Sequence, residues 1–158
     1  MSDPSPEAYP PPAVAGVAVE VQRRLESFYA LPAQAPVADF LIAPDRAAHL
    51  PGEGSRTLVD ESGGELSLGV VLEAQVSERL QAEDPRQGLS GSNVGQFCNL
   101  VEEGSHFVCL SFCAGASRSV TQLELELQAE VDKYFNLVFL LSLQNEGAVS
   151  PGLKELLF

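Results

Sequence analysis

The stretch NVGQFCNLVEEGSHFVCLSFCA, residues 93–114, decides the fold because it is apolar on nearly every side of a helix. At 100° per residue, its large apolar side chains fall in more than one sector around the helix axis. A helix with this pattern is usually buried in the middle of a domain. We therefore expect this segment to form the central helix, with the other elements packed around it.

A second apolar segment follows directly, and we expect the two segments to form an antiparallel helical hairpin. Residues 120–143 have helical spacing, and the connection before them is only a few residues long. Short connections favour antiparallel neighbours. The predicted buried seam of this second helix consists of Leu123, Leu127, Tyr134, Leu137 and Leu141.

The part of the chain before residue 93 predicts shorter elements. Residues 14–29 have the spacing of an amphipathic helix, and residues 73–83 that of a shorter one. Strands are predicted at residues 37–42, 56–60 and 65–72. Gly63 and Gly64 suit a tight turn between the last two strands, which indicates a β-hairpin. The predicted fold class is α+β: a small antiparallel sheet of about three strands with a central hairpin, packed against helices, and a long antiparallel helical hairpin at the C-terminal end.

The chain of 158 residues has room for one domain between two terminal segments. Residues 1–13 contain five prolines and few branched apolar residues, so they predict a disordered Pro-rich tail. Residues 14–147 are expected to form a single α+β domain. Residues 148–158 form a short apolar C-terminal segment, which predicts docking or self-association.

The charge excludes several classes of partner. Nine Lys and Arg residues against 22 Asp and Glu residues give a formal net charge of −13. Nucleic-acid binding needs a basic surface that displaces counterions from phosphates, and an anionic membrane surface attracts basic segments for the same reason. We therefore expect neither partner. The acidic excess indicates either solubility alone or a docking face for a basic protein.

The sequence also predicts a compartment. No apolar run is long enough to span a bilayer, and the first residues lack the basic and apolar regions of a secretory signal. Three cysteines, an odd number, do not indicate a disulfide framework. We expect a cytoplasmic protein with reduced thiols.

One group of polar residues is a candidate site. Glu102 and His106 lie one turn apart on the central helix, and Glu130 falls inside the predicted seam of the next helix. A carboxylate at a buried position must be paired, protonated or bound to a metal. The first alternative is a buried hydrogen-bonded network, in which Glu130 accepts from His106, Arg118, Lys133 or Tyr134. The second is a divalent metal site for iron, manganese or zinc, with Glu102, His106 and Glu130 as ligands.

No standard phosphate-loop, dinucleotide, zinc-protease or serine-hydrolase motif occurs in the sequence. This favours a non-enzymatic protein-interaction or regulatory adaptor module without a cofactor, whose partner is another protein. The main alternative is a metal-binding or metalloenzyme domain that uses Glu102, His106 and Glu130. A third alternative is a small-molecule sensor with an aromatic pocket, lined by Phe97, Phe107, Phe112 and Tyr134.

Overall fold

The computed structural model describes residues 8–145, and four helices and three strands are assigned in this part of the chain. The helices are α1 (Pro12–Phe28), α2 (Ala74–Ala82), α3 (Val94–Gly115) and α4 (Gln122–Gln144). The strands are β1 (Leu41–Ile42), β2 (Arg56–Asp60) and β3 (Ser67–Val71). The predicted α+β class is confirmed. Residues 1–7 of the predicted tail and the predicted segment 148–158 lie outside the described residues.

Helix α3 is the centre of the fold, as its sequence predicts. It contacts α1, α2, α4 and the two longer strands. Phe97 and Phe107 on α3 are each 1% exposed and join the same core cluster as Leu25 of α1 and Leu80 of α2. Burial of apolar surface on several sides of one helix is the main stabilising contribution to this arrangement. Between residues 8 and 145, no helix combines the length and hydropathy that crossing a bilayer requires.

Helix α1 begins slightly earlier than the sequence indicates. It starts at Pro12, two residues before the predicted domain boundary at residue 14. Proline is favoured in the first turn of a helix because its missing N–H would have no intrahelical partner there. The buried face of α1 follows the predicted spacing, with Val14, Val17 and Val21 each at most 1% exposed.

Helices α3 and α4 form the predicted antiparallel hairpin. Contacts between them run in opposite directions along the chain: Ser105 meets Asp132, whereas His106, further along α3, faces Glu126, which is earlier on α4. The start of α4 is fixed by a capping box. The Thr121 hydroxyl accepts the backbone N–H of Glu124, and the Glu124 carboxylate accepts the backbone N–H of Thr121 at 2.7 Å.

The sheet contains the predicted hairpin but is mixed rather than antiparallel. Strands β2 and β3 pair antiparallel, with Arg56 opposite Val71, and both Gly63 and Gly64 have positive φ in the turn. The strand order is β1-β3-β2, and β1 pairs parallel to β3. Parallel neighbours need a long crossover, and residues 43–66 supply it.

The predicted strand at 37–42 is shorter in the structure. Residues Val37–Phe40 form a 3-10 turn, and only Leu41–Ile42 pair with the sheet. The backbone N–H of Val37 donates to the Gln22 side chain of α1 at 2.7 Å. This hydrogen bond ties the segment to α1 at that point, and the first four residues of the predicted strand do not join the sheet.

Candidate functional site

Glu130 lies on the solvent side of α4 and not in the interior. Its side chain is 54% exposed, and its carboxylate accepts from Lys133 Nζ at 2.5 Å. The prediction that Glu130 falls inside the buried seam is therefore wrong. The predicted seam residues Leu123 and Leu127 are also exposed, at 67% and 60%. The true buried face of α4 is rotated by roughly a third of a turn from the predicted one.

Lys133 connects two of the predicted ligands. Besides Glu130, it donates to Glu102 at 3.1 Å, so both carboxylates lie around one ammonium group. Partial burial lowers the pKa of Lys133, but the hydrogen bonds and charges of the two carboxylates outweigh burial and raise it overall. Lys133 is consequently protonated at neutral pH, and its ammonium group lies between the two predicted ligands Glu102 and Glu130.

His106 points to different acids. Its Nδ1 lies 3.5 Å from Glu103 Oε2, and its Nε2 lies 3.9 Å from Glu126 Oε1. The Glu103 carboxylate also accepts from the Thr57 hydroxyl at 2.7 Å. Burial lowers the pKa of His106, but contact with Glu103 and the charges of Glu103, Glu126 and Glu102 raise it overall. Its Nε2 has no hydrogen-bond partner within the described range.

The structure thus divides the predicted triad into two neighbouring clusters. Glu102 and Glu130 share Lys133, and His106 faces Glu103 and Glu126. Over residues 8–145, no three side chains of His, Cys, Asp or Glu are grouped so that they could hold a metal ion. Binding of iron, manganese or zinc by Glu102, His106 and Glu130 stays a prediction.

A buried hydrogen-bonded network that the sequence reasoning missed is centred on Asp132, which is 2% exposed. Its carboxylate accepts from the Tyr29 hydroxyl of α1 at 2.5 Å and the Ser105 hydroxyl of α3 at 2.6 Å. Gln128 Nε2 donates to it at 3.0 Å. Burial, followed by the hydrogen bond and charge of Asp132, raises the pKa of Tyr29 well above its usual value. The sequence carries no clear signal for this network, because Asp132 lies between other charged residues, Glu130 and Lys133.

Asn136 lies one turn after Asp132 and extends this network. It is fully buried, and its side-chain oxygen accepts from Arg24 Nη1 at 2.7 Å. Its amide donates to the backbone carbonyl of Asp132 at 2.9 Å. Buried polar groups are costly without partners, so Asp132 and Asn136 hold α4 in the one rotation that satisfies them.

This rotation leaves a line of apolar side chains along α4, all of them exposed except Phe135, which is partly buried against the core. The line has a spacing of four residues, and we call it the apolar row: Leu123, Leu127, Val131, Phe135, Phe139 and Leu143. Phe28 of α1 continues it sideways, with its ring centroid 3.9 Å from that of Phe135. Of the eight exposed large hydrophobic residues in the part of the chain that the structure describes, seven belong to this region. We call the apolar row with Tyr134 and Phe28 the α4 surface.

The α4 surface has an acidic border along its first half. Glu126 and Glu130 each precede a member of the apolar row, and their side chains are 48% and 54% exposed. Glu130 shares the ammonium of Lys133 with Glu102, and Glu126 faces His106. The other end differs, because the guanidinium carbon of Arg24 lies 4.3 Å from the ring centroid of Phe139. The surface is therefore apolar along its length and negative at one end.

The cysteines do not form a reactive site. Cys113 is buried, and Cys98 and Cys109 are half-buried on α3. Burial raises the pKa of Cys98 and of Cys109 to about 11. Both side chains are therefore protonated thiols at neutral pH, and a thiol is a poor nucleophile compared with a thiolate.

The aromatic residues considered for a sensor pocket do not share a cavity. Phe97 and Phe107 are in the core, whereas Tyr134 is 47% exposed on α4. Two grooves, of about 580 and 800 Å³, lie beside the sheet. Arg56 contributes to both grooves, but its guanidinium already donates to three backbone carbonyls of the loop between β1 and β2. Neither groove is lined by Glu102, His106 or Glu130.

Comparison with known proteins gives no relative: no family model, no curated protein and no solved structure matches the chain. The polar clusters hold α3, α4 and α1 together through hydrogen bonds and ion pairs between the helices. The α4 surface, in contrast, is an extended apolar area with no cover among residues 8–145.

Proposed function

We propose that this protein is a non-enzymatic interaction or adaptor module that binds another protein through the α4 surface. The observation that carries the proposal is the concentration of exposed large apolar side chains on this one face. Single exposed apolar residues are ordinary on protein surfaces, but a contiguous set marks an interaction site. We place this function in the cytoplasm, in keeping with three cysteines that remain free thiols.

The rigidity of α4 supports the proposal. Asp132 and Asn136 bind it to Tyr29 and Arg24 of α1, and Asp132 also binds it to Ser105 of α3. These contacts fix the buried face of the helix. A surface that is already ordered before binding loses little conformational entropy when a partner docks, which favours affinity.

Charge selects the kind of partner. The chain has a net charge of −13, and the α4 surface itself carries an acidic border. An anionic lipid surface and a nucleic acid would each meet like charge there, and two copies of a chain with a net charge of −13 repel each other. The occupant that we propose is a positively charged, partly apolar segment of a different protein.

The test uses the full chain and two matched variants. Leu127→Glu places a charge in the first half of the apolar row, where the side chain is 60% exposed. Val59→Glu is the control, because Val59 is 48% exposed but lies on β2, away from the α4 surface. Proteins that cross-link to the wild-type chain in a lysate are identified, purified and mixed with each of the three forms.

The proposal requires a reconstituted one-to-one complex that forms with the wild-type chain and Val59→Glu and is lost with Leu127→Glu. A complex that forms equally well with Leu127→Glu would overturn the proposal.

Light scattering of the purified chain supplies a second criterion. A stable homodimer that dissociates in Leu127→Glu would assign the α4 surface to a second copy, and would contradict a different protein as its occupant. The predicted self-association through residues 148–158, which lie outside the described residues, would instead give a dimer insensitive to Leu127→Glu.

A further inference from the structure

The spacing of the apolar row restricts how a partner can pack on α4. Its members are four residues apart throughout, from Leu123 to Leu143. A coiled-coil seam instead alternates steps of three and four residues, and after Leu123 and Leu127 its next position is 130. That position is the exposed, ion-paired Glu130. The other phase, through Leu127, Val131 and Tyr134, next reaches Val138, which is partly buried against the core, so neither phase continues as an exposed coiled-coil seam.

Side chains spaced by four residues form a ridge that is inclined to the helix axis. When ridges of this kind on two helices interdigitate, each fitting into the grooves of the other helix, the two helix axes cross at about −50°. Contact is then confined to a few turns on each side of the crossing point. The middle of the row, around Leu127 and Val131, is the most exposed part that also has further apolar residues on both sides.

An extended peptide fits this surface less well. The backbone N–H and C=O groups inside α4 are used within the helix, so they are not free to pair with a strand. An extended segment that covered the row would leave its own backbone groups without partners on that side. A helix satisfies its own backbone and offers only side chains.

We propose that the segment that docks on the α4 surface is a basic amphipathic α-helix, which crosses α4 at about −50° and has its positive side chains against Glu126 and Glu130. The inference rests on the proposed function and adds the secondary structure and charge of the partner segment. Arg24 beside Phe139 makes the other end of the surface positive. The basic residues of the partner are therefore concentrated at the end of its helix that lies over Leu123, Leu127 and Val131.

Fluorescently labelled synthetic peptides test this inference on the full chain. The first peptide is an amphipathic helix with leucines four residues apart and flanking lysines. A second peptide keeps the leucines and replaces the lysines by glutamates, and a third has the composition of the first in scrambled order. We expect saturable binding of the first peptide, at least about tenfold weaker binding of the second and no saturable binding of the third. The first peptide should also gain helical circular dichroism when it binds.

Two double variants separate the charge from the apolar contact. Glu126→Gln with Glu130→Gln removes two charges at the border, and Glu61→Gln with Glu65→Gln removes two exposed charges at the hairpin turn. We expect the first pair to weaken binding of the basic peptide about three- to tenfold, as partly exposed ion pairs do. The salt dependence of binding should also decrease. The control pair should change the affinity less than about twofold, because charges beyond a Debye length are screened.

The outcomes distinguish this inference from the proposed function. No binding of the basic peptide, equal binding of the acidic and basic peptides, or equal effects of the two double variants would overturn the basic helix. If the protein partner from the cross-linking experiment still requires Leu127, the proposed function stands without the basic helix. If Leu127→Glu leaves both the peptide and the protein partner bound, the α4 surface is not the binding site and both proposals fail.

Discussion

The rotation of α4 predicts that truncation of two leucines on this helix lowers the free energy of unfolding by very different amounts. Leu137 is fully buried in the core, whereas Leu127 is 60% exposed. Truncation of a buried leucine to alanine typically costs about 2–5 kcal/mol, from lost apolar burial and from the cavity left behind. Leu137→Ala should therefore lower the free energy of unfolding by about 3 kcal/mol.

Leu127→Ala should have a much smaller effect. Less than half of the Leu127 side chain is removed from water, and full burial of a leucine contributes about 1.5–3 kcal/mol. No enclosed cavity forms at an exposed site, and alanine is the better helix former. The expected loss is below about 1 kcal/mol. Urea denaturation of both variants measures the difference. Equal losses, or a larger loss for Leu127→Ala, would refute the rotation of α4 described above.

Three further effects follow from the buried polar groups. The pKa of His106 is higher in the folded protein than in the unfolded chain, so protonation of His106 stabilises the fold. This stabilisation is fully present below the unfolded pKa of about 6.5 and is lost as the pH rises through the folded pKa. Urea titrations between pH 5.5 and 8.5 should show this loss in the wild type and in the exposed-site control His49→Gln, but not in His106→Gln. Alkylation of Cys98 and Cys109 at pH 7 should be more than about tenfold slower in the folded chain than in urea, and equal rates would contradict their burial. Asp132→Ala should lower the free energy of unfolding by about 3 kcal/mol, because it leaves buried donors unpaired; a urea-measured loss under about 1 kcal/mol would be too small for that network.

The fold class was predictable because its strongest signals are local. The central position of α3 follows from apolar residues on several of its faces, and the hairpin follows from two adjacent glycines between alternating segments. The parallel pairing of β1 was not predictable in the same way. It depends on which edge of β3 the chain reaches after a crossover, and a single short strand carries no signal for that choice.

The rotation of α4 could not be derived from hydrophobicity alone. Leu123, Leu127 and Tyr134 suggested one buried face, but the buried face contains Asp132 and Asn136. Those two residues are buried because Tyr29, Ser105 and Arg24 supply their partners. The sequence does not reveal such partners, since they come from other helices. The exposed apolar row is the consequence, and the proposed function rests on this row rather than on Glu130.

Hydroxyl-radical footprinting of the wild-type chain tests the exposure of the apolar row most directly. The protein is oxidised at a dilution where light scattering shows a monomer, and the modified side chains are located by mass spectrometry. We expect rapid oxidation of Leu127 and Tyr134 and strong protection of Leu137 and Phe107. Protection of Leu127 and Tyr134 to the level of Leu137 in the monomer would contradict the account, because no free α4 surface would then exist for a partner.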